Sequence, residues 1–254
     1  MSVSDIFEEF IKNSEDISQL FLMAQEFDPY IFKELEKGTL SKISTSKEVF
    51  LFKNSIMETI QDKKSKEIFK KLKVAIANHE YRDITYTYNK TTEHKNMKCI
   101  KLIFMDNNWY VVLVDETKKL LFRRLSFIDR VDYASKNAFQ KKDIEPYLNF
   151  LKQAQNSMSL YGVKPKIATI KATPKIAIYF EKEMKKFLPS QKFQKKLDDG
   201  SIIFTLNYTQ ELEILPFIQK WLPDLIIVEP KELREAYAKK LKMALGDYDA
   251  VSSD

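Results

Sequence analysis

Apolar residues recur at helical spacing through the first third of the chain and then switch to strict alternation. Ile6, Phe7, Phe10 and Ile11 form one helical face, with Ser4 or Asp5 as its cap, and Ile17, Leu20, Phe21 and Ala24 form another after Asp16. Asp28-Pro29 opens a third short helix that Gly38 closes, and Val49 to Phe52 reads as a short strand or buried connector. A clearer helix follows. Ser65 is placed to cap it, and Ile68, Phe69, Leu72, Ala75 and Ile76 share one face. From Tyr81 the period becomes two: Ile84, Tyr86 and Tyr88 point one way, Thr85 and Thr87 the other. Asn89 to Asn96 is polar and is expected to be a loop. Lys98–Phe104, Trp109–Val114 and Leu120–Arg123 then read as strands, joined by turns at Asp106-Asn107-Asn108 and Asp115–Lys118. A helix followed by several short antiparallel strands predicts a small barrel or curled sheet.

Residues 134–163 are mixed and polar, with a helix expected over Ile144–Ala154 and a hinge near Asn156–Lys164, where Gly162 and Pro165 fall together. The last ninety residues carry a second pattern. Ile167–Ala172 is a strand, Thr173-Pro174 starts a helix through Phe187, and Phe193–Leu197 and Ile202–Asn207 form a hairpin around Asp199-Gly200. Glu211–Trp221 is a helix, Leu225–Val228 an apolar strand expected at the centre of its sheet, and Pro230 opens a helix that Gly246 ends. The order β-α-β-β-α-β-α predicts a ferredoxin-like α+β unit with one added helix.

Composition narrows the function. The 254 residues contain only four glycines, none near another, so the glycine-rich loops that cradle nucleotide phosphates are absent. The single cysteine, Cys99, cannot form an internal disulfide and reads as packing in a reducing compartment rather than as a nucleophile. The two histidines, His79 and His94, have no cysteine pair or nearby carboxylate motif, so no metal site and no cofactor are expected. No Gly-x-Ser-x-Gly elbow marks a hydrolase, and the expectation is a protein that is not an enzyme. No apolar run approaches the ~20 residues of a membrane span, and the acidic start of the chain is the reverse of a secretory signal. A cytoplasmic protein without a membrane partner is expected. The net charge of +6 is uneven: residues 1–66 hold nine Lys/Arg and twelve Asp/Glu, leaving the remainder at +9. A basic body fits an anionic partner, and equally a lysine-rich solvated surface.

The middle strands carry the chemistry for such a partner. Trp109, Tyr110, Tyr86 and Tyr88 offer rings, and Arg123, Arg124, Arg130, Lys98 and Lys101 offer positive charge. Stacking beside cations suits single-stranded nucleic acid or nucleotides. Adjacent strand residues face opposite ways, so with Trp109 in the core Tyr110 is the ligand candidate. Tyr86 and Tyr88 share the face of Ile84 and read equally as core, while Lys98 and Lys101 read equally as solvated face.

Ala75-Ile76 leading into Ile84-Thr85-Tyr86, then Trp109-Tyr110-Val111, then Arg124-Leu125-Ser126-Phe127-Ile128 resemble the WYL-domain family of bacterial transcription regulators. Val111 stands for the naming Leu, Cys99 for the Pro before the central strands, and Phe127 for the second Arg of the closing motif, so Arg124 carries over cleanly. Thr173-Pro174, Asp199-Gly200-Ser201 and Val228-Glu229-Pro230-Lys231-Glu232-Leu233-Arg234-Glu235 resemble the C-terminal extension of that family. The resemblance implies an α+β chain in four parts. These are a helical connector (1–64), a small SH3/Sm-like β-barrel (65–135), a linker with a helix (136–163) and a ferredoxin-like extension (164–248). It also implies a homodimer that senses a nucleic-acid or nucleotide-like ligand, with the DNA-reading winged helix-turn-helix absent from the sequence. The alternative is a standalone nucleic-acid-binding or protein-interaction adaptor.

Overall fold

The computed structural model describes residues 58–251; the helices and the strand expected within residues 1–57 lie outside the described residues. The chain is mixed α+β, with two antiparallel sheets and four α-helices among the described residues. Helix α1 spans Lys63–Ala77, and its cap is Asp62 rather than Ser65: the Asp62 carboxylate accepts the Ser65 backbone N–H at 2.8 Å. Ser65 lies inside the first turn. Ile68, Leu72 and Ala75 are buried along one stripe, with Phe69 and Ile76 beside them, as the spacing predicts.

Five strands follow: β1 (Glu80–Thr87), β2 (Thr91–Met105), β3 (Asn108–Val114), β4 (Leu120–Arg124) and β5 (Ile128–Ala138). Their order in the sheet is β4-β3-β2-β1-β5. The polar run expected as a loop is instead the first half of β2, paired with β1 from Thr87↔Thr91 onward. Its residues alternate, with Thr91, Glu93 and Lys95 exposed and Thr92, His94 and Asn96 half-buried, the period of two that a strand requires. The β2–β3 turn has positive φ at both Asp106 (51°) and Asn107 (61°), the two-residue hairpin geometry that Asp and Asn tolerate.

The sheet is open, not a closed barrel. β4 and β5 are its two edges, and no ladder joins them. After Arg124 the chain makes one 3-10 turn, Leu125–Phe127, and enters β5 against β1 instead of continuing beside β4. Three residues therefore bridge opposite edges, which requires a strongly curled sheet. One face packs Ile84, Met97, Cys99, Val111 and Leu113 against α1. The other packs Ile100, Val112 and Val114 against Phe139, Ile144 and Tyr147. Coverage on both faces explains why the whole run Val111–Val114 is buried. The expected helix at 144–154 is shorter, a 3-10 turn at Lys141–Ile144 and then α2 over Glu145–Leu151.

The C-terminal sheet comprises β6 (Lys166–Ala172), β7 (Lys192–Lys196), β8 (Ile202–Tyr208) and β9 (Leu225–Glu229), in the order β7-β8-β6-β9. β9 is thus an edge strand rather than a central one. Its apolar content comes from Leu225 and Ile227 on the core face, with Ile226 exposed on the other. The Asp199-Gly200 turn forms as expected, with Gly200 at φ 84°. Between β6 and β7 the expected long helix reduces to a 3-10 turn at Ala177–Phe180. Phe180 stacks on Phe204 at 4.8 Å, and Glu181 turns extended behind it, so packing of that ring takes precedence over continuing the helix. The helix expected over 211–221 divides at Ile214 into a 3-10 turn (Glu211–Glu213) and α3 (Leu215–Lys220), with Pro216 in the first turn of α3, where its missing N–H costs no helical bond. The last helix, α4, runs from Lys231 to Val251 and passes through Gly246 instead of stopping there.

The hinge expected near Asn156–Lys164 is docked. Glu213, only 5% exposed, accepts hydrogen bonds from the Ser159 hydroxyl (2.7 Å), the Gln155 amide (3.0 Å), and the Thr209 backbone N–H (2.7 Å) and hydroxyl (2.6 Å). Between those two linker residues, the Ser157 hydroxyl donates to Asp106 of the β2–β3 turn at 3.1 Å.

Candidate functional site

The curled sheet brings β1, β4 and the 3-10 turn together at one rim. Alternation places Arg123 on the face of Val111, its cross-strand partner, and turns Arg124 to the face of Tyr110, its own partner. Because β4 ends at Arg124, both guanidinium groups reach the seam between the sheet edges. The Arg123 guanidinium lies over the Tyr86 ring, 5.0 Å from its centroid, and that of Arg124 lies over the Phe127 ring at 5.6 Å. Phe127 in turn meets Tyr86 edge-on (6.0 Å, 86°) and Tyr88 (5.2 Å, 63°). Tyr88, just past the end of β1, is 67% exposed and presents its ring to solvent. His94 on β2 completes the rim, 6.5 Å from Tyr86.

Electrostatics tie these groups together. Burial raises the Tyr86 pKa, Tyr110 and Tyr88 push it the same way, and Arg123 opposes them. Burial also lowers the His94 pKa, and the positive charge of Arg123 adds to that while Asp115 opposes it, so the neutral ring is favoured relative to a free imidazole. Glu58 enters from the segment before α1. Its Oε2 accepts the Trp109 backbone N–H at 2.6 Å, and its Oε1 lies 3.5 Å from Arg124 Nε. Three buried polar atoms of this cluster, Glu58 Oε1, Arg123 Nε and Arg124 Nε, have no hydrogen-bond partner. Buried polar atoms are ordinarily satisfied, so the rim holds unused capacity for an acceptor-rich group.

The other sequence-predicted residues lie elsewhere. Trp109 is half-buried in the core below α1, edge-on to Phe69 (5.2 Å) and Phe104 (5.2 Å). Arg130 is engaged by Asp132 at 2.6 Å and lies 4.0 Å from Glu93. Lys98 lies on the opposite side of the sheet, over the Phe139 ring and 3.9 Å from Asp143. Lys101 is exposed on β2, paired with Val112 and away from the rim. Tyr110, Arg124, Arg123, Tyr86 and Tyr88 are brought together. Glu58, His94 and Phe127 join them unpredicted; for Phe127 the signal was its place two residues after Leu125 in the closing motif.

The described residues contain no cluster of three His, Cys, Asp or Glu able to hold a metal. Cys99 is buried in β2, and burial pushes its thiol up to about 12, so it stays protonated and unreactive. No described helix is long and apolar enough to cross a membrane.

No curated protein matches the chain. Among solved structures it is similar to proteasome accessory factor B/C of Arthrobacter aurescens, at 15% identity and a TM-score of 0.33, covering 77% of this chain and 29% of that one. It is also similar to a CRISPR Cas-related protein, at 14% identity and a TM-score of 0.47, covering 74% of this chain and 51% of that one. The chain therefore spans about half or less of the length of these two proteins. Residues 165–245, which contain β6 to β9 with α3 and most of α4, match the model of the WCX domain family.

Proposed function

We propose that this chain is the effector-sensing and dimerising part of a WYL-type transcription regulator, acting in the cytoplasm without catalysis of its own. The ligand is a single-stranded nucleic acid or a nucleotide-like anion, bound at the rim of the five-stranded sheet. The observation that carries this is the rim itself: two arginines whose Nε atoms make no hydrogen bond, laid over aromatic rings that lead to the exposed Tyr88. A base stacks on Tyr88 and Phe127, and its phosphate meets Arg124 and Arg123. The WCX domain that follows supports a regulator, as does the resemblance of Trp109-Tyr110-Val111 and Arg124–Ile128 to WYL motifs. The meander order of the first sheet supports an SH3/Sm-like arrangement opened at the β4–β5 seam, and the order β7-β8-β6-β9 supports a ferredoxin-like one.

The test is fluorescence anisotropy of a labelled oligothymidylate at low and physiological ionic strength, with the wild type, Arg124→Ala and Tyr88→Ala. Salt-sensitive binding is expected. Each substitution should weaken it about tenfold, since base stacking contributes ~1–3 kcal/mol and a charge-assisted hydrogen bond ~1.5–3 kcal/mol. No binding by the wild type at low salt would sink the proposal. Sedimentation velocity tests the homodimer, and a concentration-independent monomer excludes it.

A further inference from the structure

We infer that Glu58 is a resident anion in the Arg124 site, holding the place where a phosphate of the ligand docks and leaving it when the ligand binds. This rests on the functional reading above and adds a competitor that belongs to the chain itself. The backbone explains why a carboxylate sits there. β4 stops at Arg124, so the N–H that Trp109 directs toward that edge has no strand partner beyond the stop. Glu58 fills the gap with Oε2, while its own N–H donates to the Asn107 carbonyl at 2.8 Å. Its other oxygen is poorly served. Oε1 faces Arg124 Nε at 3.5 Å without making a hydrogen bond, and both atoms lack any other partner.

A carboxylate retained only for stability would be expected to satisfy both oxygens, since leaving a buried charge half-paired is costly. The arrangement fits an exchangeable occupant better. Glu58 supplies one negative charge to a rim with two guanidinium groups. A phosphate brings more acceptor oxygens and can engage an arginine in bidentate fashion. The Glu58 side chain is 11% exposed and that of Arg124 37%, but the facing Oε1 and Nε are themselves buried, so a ligand meets Nε only once Glu58 has left. Displacing the Glu58 carboxylate also releases the Trp109 N–H, one of the two bonds that anchor Glu58 ahead of α1; the other runs from its backbone N–H to the Asn107 carbonyl. Occupancy of the rim is thereby coupled to the position of the segment that enters the domain.

The experiment compares oligothymidylate binding by the wild type, Glu58→Gln, Arg124→Ala and the double variant. Glu58→Gln keeps an acceptor for the Trp109 N–H and removes the competing charge. It should bind about threefold to fivefold tighter than the wild type, the span expected for a partly exposed ion pair. In the Arg124→Ala background the same change should gain nothing, because the two residues act at one point. Hydrogen exchange on the wild type gives an independent readout: adding the oligonucleotide should speed exchange at the Trp109 amide, against the usual protection by a ligand. If the wild type binds, Arg124→Ala weakens it, and Glu58→Gln has no effect while the Trp109 amide stays protected, the resident-anion inference is overturned and the site survives. If no protein binds at low salt, or Arg124→Ala leaves binding unchanged, the functional reading falls and this inference with it.

Discussion

Replacing Glu213 by Ala should destabilise the C-terminal unit by about 3–5 kcal/mol, the range for breaking a buried charged network by removing one partner. The magnitude follows from four donors that lose their acceptor together: the Thr209 backbone N–H and hydroxyl, the Ser159 hydroxyl and the Gln155 amide. Each donor left unsatisfied costs about 1–3 kcal/mol, and some recover water because the linker lies near the surface, which keeps the total below the plain sum. The assay is urea unfolding in a Trp109→Phe background, where Trp221, the only remaining tryptophan, reports the unit that holds Glu213. The same carboxylate sets a pH dependence. Burial pushes its pKa up, but the hydrogen bonds from Thr209, Ser159 and Gln155 outweigh burial and leave it below the ordinary value. A depressed folded-state pKa contributes stability that is present above the unfolded value, ~4.3, and is lost as pH falls through the folded value. The wild type should therefore lose stability below about pH 4 more steeply than Glu213→Gln, in which nothing titrates at that position. A loss under about 1 kcal/mol for Glu213→Ala would refute the reasoning, because it would mean the linker is not held by this carboxylate.

Leu72→Ala, at a fully buried position of α1, should cost about 2–5 kcal/mol in the first unit, read by far-UV circular dichroism during urea unfolding. Arg123→Ala should raise the His94 pKa by removing the nearby positive charge while leaving burial in place, measured by NMR titration of the imidazole protons. Cys99 should resist a thiol reagent in the native protein and react at once in denaturant; reaction in the native state at neutral pH would contradict its burial.

Local pattern carried a large part of the fold. The stripe Ile68, Leu72, Ala75 on α1 and the alternation in β8 follow directly from period, and the Asp106-Asn107 and Asp199-Gly200 turns from residue chemistry. Where expectation failed, tertiary contact had overridden local preference. The polar half of β2 is a strand because β1 offers it a ladder, and Phe180 ends its helix early because Phe204 holds the ring. The cap at Asp62 competed with an equally plausible Ser65 three residues on. In the site, aromatic and arginine types were legible, but their convergence was not. Arg130 and Lys98 carry the same charge as Arg123, and only the strand register separates them from the rim. Glu58 was invisible because its partners, Trp109 and Arg124, are 51 and 66 positions away in the chain.

The β2–β3 turn has a consequence for how the molecule can be perturbed. Within four residues, Asp106 receives the linker through Ser157, Asn107 receives the Glu58 amide, and Trp109 gives its own amide to the Glu58 carboxylate. The approach to the first unit and the exit toward the second are thus clipped to the same short piece of backbone. Such a turn behaves as a common fulcrum: tilting it moves the incoming and outgoing segments in concert. A residue inserted between Asp106 and Asn107 would leave both sheets intact and set those two segments free of each other.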